Sequence, residues 1–326
     1  MKRICIIGAG AIGSLYAAHL ARVAEVWCLV RREDHARALN ERGLRVSGTH
    51  EFSAKVKAET RPERLPQFDL GIVATKATQT DEAFHPVGHL FDKGAVISAQ
   101  NGLGSEEIIA AHTSGKVIRG TTFMSGTRHS DTHVQYELDT ATWLGPFEPT
   151  GTPFSMVKEA AELIIAGGLK AEALEDCKPA QWSKLIFNAS VNAVSALTDL
   201  PHCREFGDEK DLASLGHLMR ALIEEGKRIA AAAGVQLHDD PWEMNKIGCQ
   251  TDHPTSMLYD VRHRQPTEVD FLCGAIAREA ERLNVPAPLN TALYRLIKGR
   301  ELSWDWEGDT RKTTAKHALE SYRIAK

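Results

Sequence analysis

The chain has 326 residues, of which 43% are hydrophobic and 25% are charged, and its formal net charge is −4. This length suits two domains, and the composition is that of a soluble globular protein. The slightly acidic balance argues against nucleic acid and membrane surfaces as partners. No apolar run approaches the ~20 residues that span a bilayer.

Cysteine and histidine usage argues against disulfides and metal sites. None of the six cysteines belongs to a Cys-x-x-Cys pair, which fits a reduced, cytoplasmic compartment. His85 and His89, like His129 and His133, are four residues apart, but neither pair lies on a convincing helix. We therefore predict no metal site.

The first predicted elements are the strand RICII, the turn GAGAIG and the amphipathic helix SLYAAHLARV. A strand, Gly-x-Gly-x-x-Gly and a helix in this order indicate a dinucleotide-binding fold. The first glycine allows the tight turn, the second lets a pyrophosphate approach the backbone, and the third lets the helix pack on the strand. The unpaired amides at the start of the helix would face the phosphates. The predicted contacts are Gly8, Ala9, Gly10, Ala11, Ile12 and Gly13.

The second strand, EVWCLV, is followed by Arg31 and Arg32, where an NAD site usually has an acidic residue. A guanidinium at this point would pair with a 2′-phosphate, which favours NADP(H) over NAD(H) as the cofactor. The alternative is two solvated arginines that open a helix, because Glu33 and Asp34 follow and could partly neutralise them.

Further strand patterns continue to residue 176. FDLGIVATKA is a buried strand that ends at Lys76, and AVISAQNG ends in a turn at Asn101. Ligands of open parallel sheets bind beyond the carboxyl ends of the strands, so both residues are candidates for cofactor or substrate contact. Other predicted strands, partly antiparallel, lie in VSGTHEFSAKVKAET, KVIRGTTFMSG, HVQYELD, TATWLGPF and GLKAEALED.

From Lys178 onward, helical patterns replace the strand patterns. One amphipathic helix ends at Gly234, and another begins with Thr267 as its N-cap. The two halves meet near residue 177 without a flexible linker. We therefore predict a nucleotide-binding domain over 1–176 and a helical substrate domain over 177–326, with a cleft between them.

The first helix of the second half, QWSKLIFNASVNAVSAL, carries Lys184, Asn188 and Asn192 on one stripe. Apolar residues on the other faces leave little room for an ordinary exposed edge, which is the alternative. Hydride transfer to a ketone leaves an alkoxide, and an ammonium can stabilise that oxygen and protonate it. We predict that Lys184 is this proton donor and that the two amides orient it or the substrate.

Taken in order, these pieces resemble the ketopantoate reductase family over nearly the full length. The resemblance implies a Rossmann-type doubly wound sheet followed by an all-helical domain like the C-terminal domain of 6-phosphogluconate dehydrogenase. It also implies NADPH-dependent reduction of a 2-keto acid to a 2-hydroxy acid, on the route to pantothenate and coenzyme A. The matching motifs are GAGAIG, Arg31, TKA at Lys76, QNG at Asn101, WSKLIFN at Lys184, TSMLYDV at Ser256 and TEVDFLCGAI at Glu268.

The resemblance implies a role for each matching residue. Lys184 would be the general acid, and Glu268 would hold the lysine or the substrate hydroxyl and adjoin the cofactor. Burial would lower the pKa of Lys184, while Glu268 nearby would raise it. Without the family match, the alternative is a structural role for two of these residues. Glu268 would be an acidic residue that stabilises the first turn of a helix, and Ser256 would cap a helix. The residues implied to contact substrate or cofactor are Lys76, Asn101, Asn188, Ser256 and Glu268. Asn192, the last residue of the stripe on the first helix, would contact the substrate in the cleft or only tie this helix to its neighbour.

Two positions depart from the family pattern. Family members commonly have Asn three residues before the serine and Asn after the proline that follows the catalytic helix. This chain has His253 and His202 there. Both family asparagines are associated with substrate contact, so the histidines bear on whether ketopantoate is the substrate. They would contact a different carboxylate or occupy a rearranged loop.

Two other functions are compatible with parts of the sequence. A β-hydroxyacid dehydrogenase of the 6-phosphogluconate dehydrogenase type also uses Lys-x-x-x-Asn, but its glycine-rich segment before the lysine is absent. A non-catalytic NADP(H) sensor would not need Lys184 and Glu268. The helical half could supply a homodimer surface. The segment WDWEG at 304–308 has no functional interpretation.

Overall fold

The computed structural model describes residues 2–306. The remainder of the predicted second domain and the last two residues of WDWEG lie outside the described residues. Within residues 2–306, no helix is long and apolar enough to span a bilayer. The same residues contain no group of three or more His, Cys, Asp or Glu side chains that could hold a metal ion.

The first half contains twelve strands, which form two sheets among the described residues. The apolar runs of the central strands are buried on both faces, as expected for a parallel sheet covered by helices. The strands are β1 (Arg3–Ile7), β2 (Glu25–Leu29), β3 (Leu44–Gly48), β4 (Phe52–Ala54), β5 (Lys57–Glu59), β6 (Leu70–Val73), β7 (Ala95–Ser98), β8 (Lys116–Thr122), β9 (Ser125–Ser130), β10 (His133–Leu138), β11 (Thr142–Pro146) and β12 (Ala171–Ala173).

The larger sheet has the order β12-β11-β8-β7-β6-β1-β2-β5. Six of its strands, from β5 to β8, are parallel, and β11 runs antiparallel to β8. Read from β5, those six parallel strands follow the Rossmann order 3-2-1-4-5-6. Their carboxyl ends therefore lie along one edge, where the glycine turn after β1 and the loops after β6 and β7 come together.

Helices form several of the connections between the parallel strands and nearly all of the second half. The helices are α1 (Ala11–Leu20), α2 (Glu33–Arg42), α3 (Thr80–Phe84), α4 (Ser105–Ala110), α5 (Phe154–Ala166), α6 (Lys178–Thr198), α7 (Leu215–Ala232), α8 (Pro241–Gly248), α9 (Ser256–Arg262), α10 (Cys273–Arg282) and α11 (Pro288–Trp306). Helix α6 is the centre of the second half, since α7 to α11 all pack against it. The architecture is therefore a Rossmann-type sheet followed by a helical domain, as the sequence predicted.

A second sheet, with the order β4-β3-β10-β9, packs over α1. The prediction that α1 is amphipathic is wrong, because every residue from Gly13 to Leu20 is buried. The large sheet covers one side of the helix and the small sheet covers the other. His19 is fully buried here, with Nδ1 2.8 Å from the Leu15 carbonyl oxygen and Nε2 2.9 Å from Nδ1 of His50.

The predicted helix that begins at Thr267 is interrupted in the structure. Residues Val269–Phe271 form a 3₁₀ turn, and the α-helix begins only at Cys273. Thr267 accepts a hydrogen bond from the amide of Val269 at 3.3 Å. The N-cap of the helix is Leu272 and that of the turn is Glu268, so the prediction of Thr267 as the helix N-cap is wrong. The break lets the turn lie against the first half, where the Phe271 carbonyl accepts a hydrogen bond from the Leu103 amide at 3.1 Å.

The buried His19 makes folding stability depend on pH. Burial lowers the pKa of His19 to about 4, below the ordinary value of about 6.5. The unfolded chain therefore binds the proton first, and the stabilisation is present above pH 6.5 and lost as the pH falls toward 4. We expect the free energy of unfolding to drop by about 2 kcal/mol from this group between pH 7 and pH 5.

Urea unfolding of the wild type and His19→Gln at both pH values measures this contribution. The pH-dependent loss should be smaller in His19→Gln by about that amount, whatever the variant's absolute stability. His89→Gln, at an exposed position, is the control and should follow the wild type. Equal pH dependence in wild type and His19→Gln would contradict the prediction.

Candidate active site

The glycine turn after β1 has the geometry that a dinucleotide site needs. Gly8 has a φ of +93°, and a Cβ on it would lie 2.6 Å from Cγ2 of Thr75. A Cβ on Gly13 would lie 1.9 Å from the Gly8 carbonyl oxygen, so this residue lets α1 start close to the turn. A Cβ on Gly10 would meet nothing within 4 Å, because Gly10 borders open space. That space is the entrance to a large cleft.

The cleft has a volume of about 900 Å³ and runs from the ends of β1 and β2 to the start of α9. Its volume is within the range of small-molecule and cofactor sites. Gly13 is the only predicted cofactor residue that does not line it. The predicted residues that line it are Gly8, Ala9, Gly10, Ala11, Ile12, Arg31, Lys76, Asn101, Ser256 and Glu268.

The two arginines after β2 have different environments. Arg32 pairs with Asp34 at 2.7 Å and with Asp131 at 2.5 Å. Arg128 also lines the cleft and pairs with Asp131 at 3.0 Å. Arg31 is exposed, and within residues 2–306 no acidic side chain pairs with it. Sequence reasoning missed Arg128 and Asp131, because only the pairing of β10 with β3 brings their hairpin to this end of the cleft.

The inner end of the cleft is closed by contacts between the two halves. Lys76 forms an ion pair of 2.8 Å with Asp260, whose side chain is only 2% exposed. Burial raises the pKa of Asp260, and Lys76 acts in the opposite direction. The buried Glu268 accepts a hydrogen bond from the backbone amide of Ala77 at 2.8 Å. Asp260 carried no sequence signal beyond its place in a short helix.

Lys184 lies behind Asn101 and reaches the carboxyl ends of the parallel strands. Its ammonium donates to Oδ1 of Asn101 at 2.8 Å and to the backbone carbonyl of Thr122. It also lies 5.2 Å from the ring centroid of Phe123. Burial lowers its pKa to about 8, and the charge of Glu268 opposes this shift. The sequence predicted the direction of both effects, but not Thr122 and Phe123 as neighbours.

A buried polar network fixes α6 one turn before Lys184. Gln181 donates to Oε1 of Glu106 at 2.7 Å and accepts from Arg119 at 3.2 Å. Burial raises the pKa of Glu106, and the charge of Arg119 opposes that shift. Gln181 also donates to the Gly102 carbonyl at 3.3 Å. The network therefore ties α6 to the loop that carries Asn101.

The two amides predicted to assist Lys184 are not among its hydrogen-bond partners within residues 2–306. Within the described structure, no hydrogen bond joins Lys184 to Asn188, which is partly buried, or to Asn192, which is buried. Side chains on a helix point toward its N-terminus, so the lysine extends away from the turn that carries Asn188. Neither amide lines the large cleft. Their contact with substrate stays a prediction.

The two histidines that depart from the family pattern lie side by side. The His202 amide donates to the His253 carbonyl at 3.0 Å. The ring of His202 is buried, with Nε2 2.9 Å from Oδ1 of Asn245, and its burial lowers its pKa. His253 is exposed. Neither residue lines the large cleft. For His202, these contacts favour the rearranged loop over a contact with a carboxylate.

Ser256 is the first residue of α9, and Thr255 is the N-cap. The Thr255 hydroxyl accepts a hydrogen bond from the Leu258 amide at 3.2 Å. The alternative interpretation of Ser256 as a cap is therefore wrong by one residue. The exposed serine hydroxyl borders the inner end of the cleft.

Comparison with known proteins covers most of the chain. The family models described as ketopantoate reductase PanE/ApbA and its C terminal match residues 4–149 and 176–301. The 2-dehydropantoate 2-reductase of Pyrococcus abyssi is 31% identical over 302 residues, which cover 92% of this chain and 98% of that protein.

Two solved structures show the same fold. A PanE/ApbA family ketopantoate reductase from Ralstonia eutropha has a TM-score of 0.81 and 27% identity, with 92% of this chain and 98% of that chain covered. A D-mandelate dehydrogenase solved with NADH and anilino(oxo)acetate has a TM-score of 0.84 and 23% identity, with 93% and 99% covered.

The loop that carries Asn101 should be sensitive to substitution at the next residue. Gly102 has a φ of +93°, and a Cβ there would lie 2.1 Å from the Phe271 carbonyl oxygen. We expect Gly102→Ala to lower the free energy of unfolding, measured with urea, by at least about 1 kcal/mol more than Gly104→Ala. Gly104 is the matched control, because its φ is +109° but its Cβ would lie 3.7 Å from the Phe271 ring. Equal losses would show that backbone strain alone matters.

Proposed function

The chain belongs to the ketopantoate reductase family of oxidoreductases that act on CH–OH groups, and from that premise we propose that it reduces a 2-keto acid to a 2-hydroxy acid with NADPH. The observation that carries the proposal is the partly buried ammonium of Lys184, which donates to Asn101, a residue that lines the dinucleotide-sized cleft. 2-Dehydropantoate is the first candidate substrate, since relatives over the full length carry that activity. A different 2-keto acid is the alternative, because His202 and His253 replace family asparagines.

The residues present fit a nicotinamide dinucleotide, and they favour the phosphorylated form. The glycine turn leaves open space in front of the first amides of α1, which suits a pyrophosphate. Arg31 lines the cleft and, within residues 2–306, has no acidic partner, so its guanidinium is available to a 2′-phosphate. No carboxylate stands at the end of β2 to accept ribose hydroxyls in the manner of an NAD site.

Lys184 would act as the general acid. The bound cofactor supplies a hydride to the carbonyl carbon of the substrate. Lys184 stabilises the negative charge that develops on the carbonyl oxygen and transfers a proton to it. Asn101 accepts a hydrogen bond of 2.8 Å from the ammonium. The negative charge of Glu268 favours the protonated form of Lys184. Ser256, with its exposed hydroxyl, would bind the carboxylate of the substrate.

A panel of 2-keto acids tests the reductase proposal. Purified protein should oxidise NADPH when 2-dehydropantoate or another branched 2-keto acid is added, as followed by absorbance of the reduced nicotinamide. Tight NADPH binding without turnover of any 2-keto acid would instead favour the non-catalytic sensor.

The cofactor preference should depend on Arg31. Arg31→Ala is expected to raise the Kd for NADPH about 10- to 100-fold, which is the scale of a lost charge-assisted contact. The Kd for NADH should change little. Arg37→Ala is the matched control, because Arg37 is exposed on α2, the helix that follows Arg31, but does not line the cleft. Fluorescence titration measures both constants. Equal weakening of NADPH and NADH would contradict the phosphate contact.

The reduction rate should depend on the protonation of Lys184. With a pKa of about 8, the ammonium is present below that pH and lost above it. We expect kcat/KM for reduction to be flat below about pH 7 and to fall tenfold per unit above about pH 8. Lys184→Ala should lower kcat at least ~10²-fold.

Two further variants make this test specific. Lys184→Arg should be slow but should lose the alkaline fall, because a guanidinium keeps its proton. Lys178→Ala removes a surface lysine of the same helix, paired with Glu148 at 2.7 Å, and should keep the wild-type profile. Near-normal turnover in Lys184→Ala would refute the assignment.

A further inference from the structure

An ion cluster lies at the outer end of the cleft, where the turn between β9 and β10 meets the end of β2. The carboxylate of Asp131, in that turn, accepts two hydrogen bonds from Nη2 of Arg32, at 2.5 and 2.6 Å. It accepts a third from Nη1 of Arg128 at 3.0 Å. Both arginines line the cleft, as does Arg31, the proposed contact of the 2′-phosphate. One carboxylate is therefore shared by two cations that border the cofactor site.

The backbone of this turn is fixed, so the carboxylate is held in place. Nε2 of His35 lies 3.1 Å from the Asp131 carbonyl oxygen, and the Arg45 amide donates to the Thr132 carbonyl at 2.8 Å. Partial burial acts to raise the pKa of Asp131, but the hydrogen bond from Arg32 and the nearby positive charges outweigh it and lower the pKa. Asp131 is therefore ionised at neutral pH.

The two arginines differ in how many of their donors are in use. Arg32 is held from two sides, by Asp131 and by Asp34 at 2.7 Å. Within residues 2–306, Arg128 makes a hydrogen bond to Asp131 alone, and its side chain is 41% exposed. A guanidinium has five N–H donors, so most of those of Arg128 are available to a ligand in the cleft.

A 2′-phosphate needs more than one cation. A phosphate monoester carries a charge of about −1.5 to −2 near pH 7 and has three terminal oxygens. A single guanidinium fork binds two of those oxygens at most. If Arg31 supplies that fork, at least one oxygen remains for a second donor, and Arg128 is a cation of the same cleft with donors to spare.

From these contacts we propose that Arg128 is a second contact for the 2′-phosphate of NADPH, and that Asp131 competes with the phosphate for this arginine. The inference rests on the cofactor assignment proposed above. Asp131 is then a specificity-determining residue that lowers the affinity for NADPH. It leaves the affinity for NADH unchanged, because NADH has no phosphate at this position.

Fluorescence titration of the full chain with NADPH and NADH tests the role of Asp131. Asp131→Asn removes the charge and keeps the shape of the side chain. At about 0.02 M NaCl it should lower the Kd for NADPH about three- to tenfold and change that for NADH less than about twofold. The gain should shrink at about 0.5 M NaCl, because salt screens exposed charges.

Arg128→Ala tests the second contact independently of the aspartate. It should raise the Kd for NADPH about three- to tenfold, because a charge-assisted hydrogen bond to the phosphate is lost, and should leave that for NADH unchanged. In the double variant with Asp131→Asn, most of the gain from the asparagine should disappear, since the cation that it releases is absent.

The matched control is Glu25→Gln. The side chain of Glu25 is 27% exposed, against 26% for Asp131, and it also bridges two cations, Arg3 at 3.4 Å and Lys57 at 2.7 Å. It lies at the opposite end of β2 and does not line the cleft. Both dissociation constants should be unchanged in this variant at either salt concentration.

The failures of the two proposals are distinguishable. Weaker NADPH binding in Asp131→Asn, a gain that persists at high salt, or equal changes for NADPH and NADH would overturn the competition. Unchanged NADPH binding in Arg128→Ala, with the loss in Arg31→Ala intact, would overturn the second contact and leave the cofactor assignment standing. A wild type that binds NADH as tightly as NADPH would remove the assignment itself.

Discussion

The ammonium of Lys184 is partly buried where the two halves of the chain meet, and the surrounding structure supplies acceptors for it there. An isolated ammonium away from water would cost several kcal/mol or lose its proton. Its acceptors, Oδ1 of Asn101 and the carbonyl of Thr122, both come from the carboxyl-end edge of the sheet. Helix α6 therefore cannot shift relative to the sheet without leaving a buried charge unpaired.

The same edge also brings the cleft and the lysine together. In a parallel sheet all carboxyl ends lie on one side, so the glycine turn, Lys76 and Asn101 become neighbours although they are far apart in sequence. Three contacts join the helical half to this edge. Asp260 forms an ion pair with Lys76, and Glu268 accepts a hydrogen bond from the Ala77 amide. The Phe271 carbonyl accepts one from the Leu103 amide. Each contact satisfies a polar group that the interface would otherwise bury without a partner.

Sequence reasoning succeeded where the signal is local. The glycine spacing and the apolar runs of the parallel strands predicted the fold, and the structure confirms it. The periodicity of α6 made Lys184 the candidate proton donor. Each of these patterns depends only on residues close together in the chain. It failed where distant segments pair. Nothing in residues 44–48 or 133–138 specifies that β3 and β10 pair in parallel and cover α1, so the helix was predicted to be amphipathic. Likewise, the interruption of the helix before Cys273 was not predicted. The interrupted segment contacts Leu103 and Ala77 of the first half, and helix propensity does not reflect such distant contacts.

The sequence by itself determined the family, the order of the elements and the residue type able to donate a proton, because these depend on spacing along the chain. Only the tertiary structure decided which groups surround Lys184, the proposed proton donor. Asn188, one turn away on the same helix, makes no hydrogen bond to Lys184 within the described residues, while Asn101, Thr122 and Phe123 reach it from the sheet half. His202, which the sequence left open between substrate and loop, is held in the core by Asn245. The physical reason is that a side chain's partners depend on its direction and on which distant segments pack against it, and neither is encoded in local spacing.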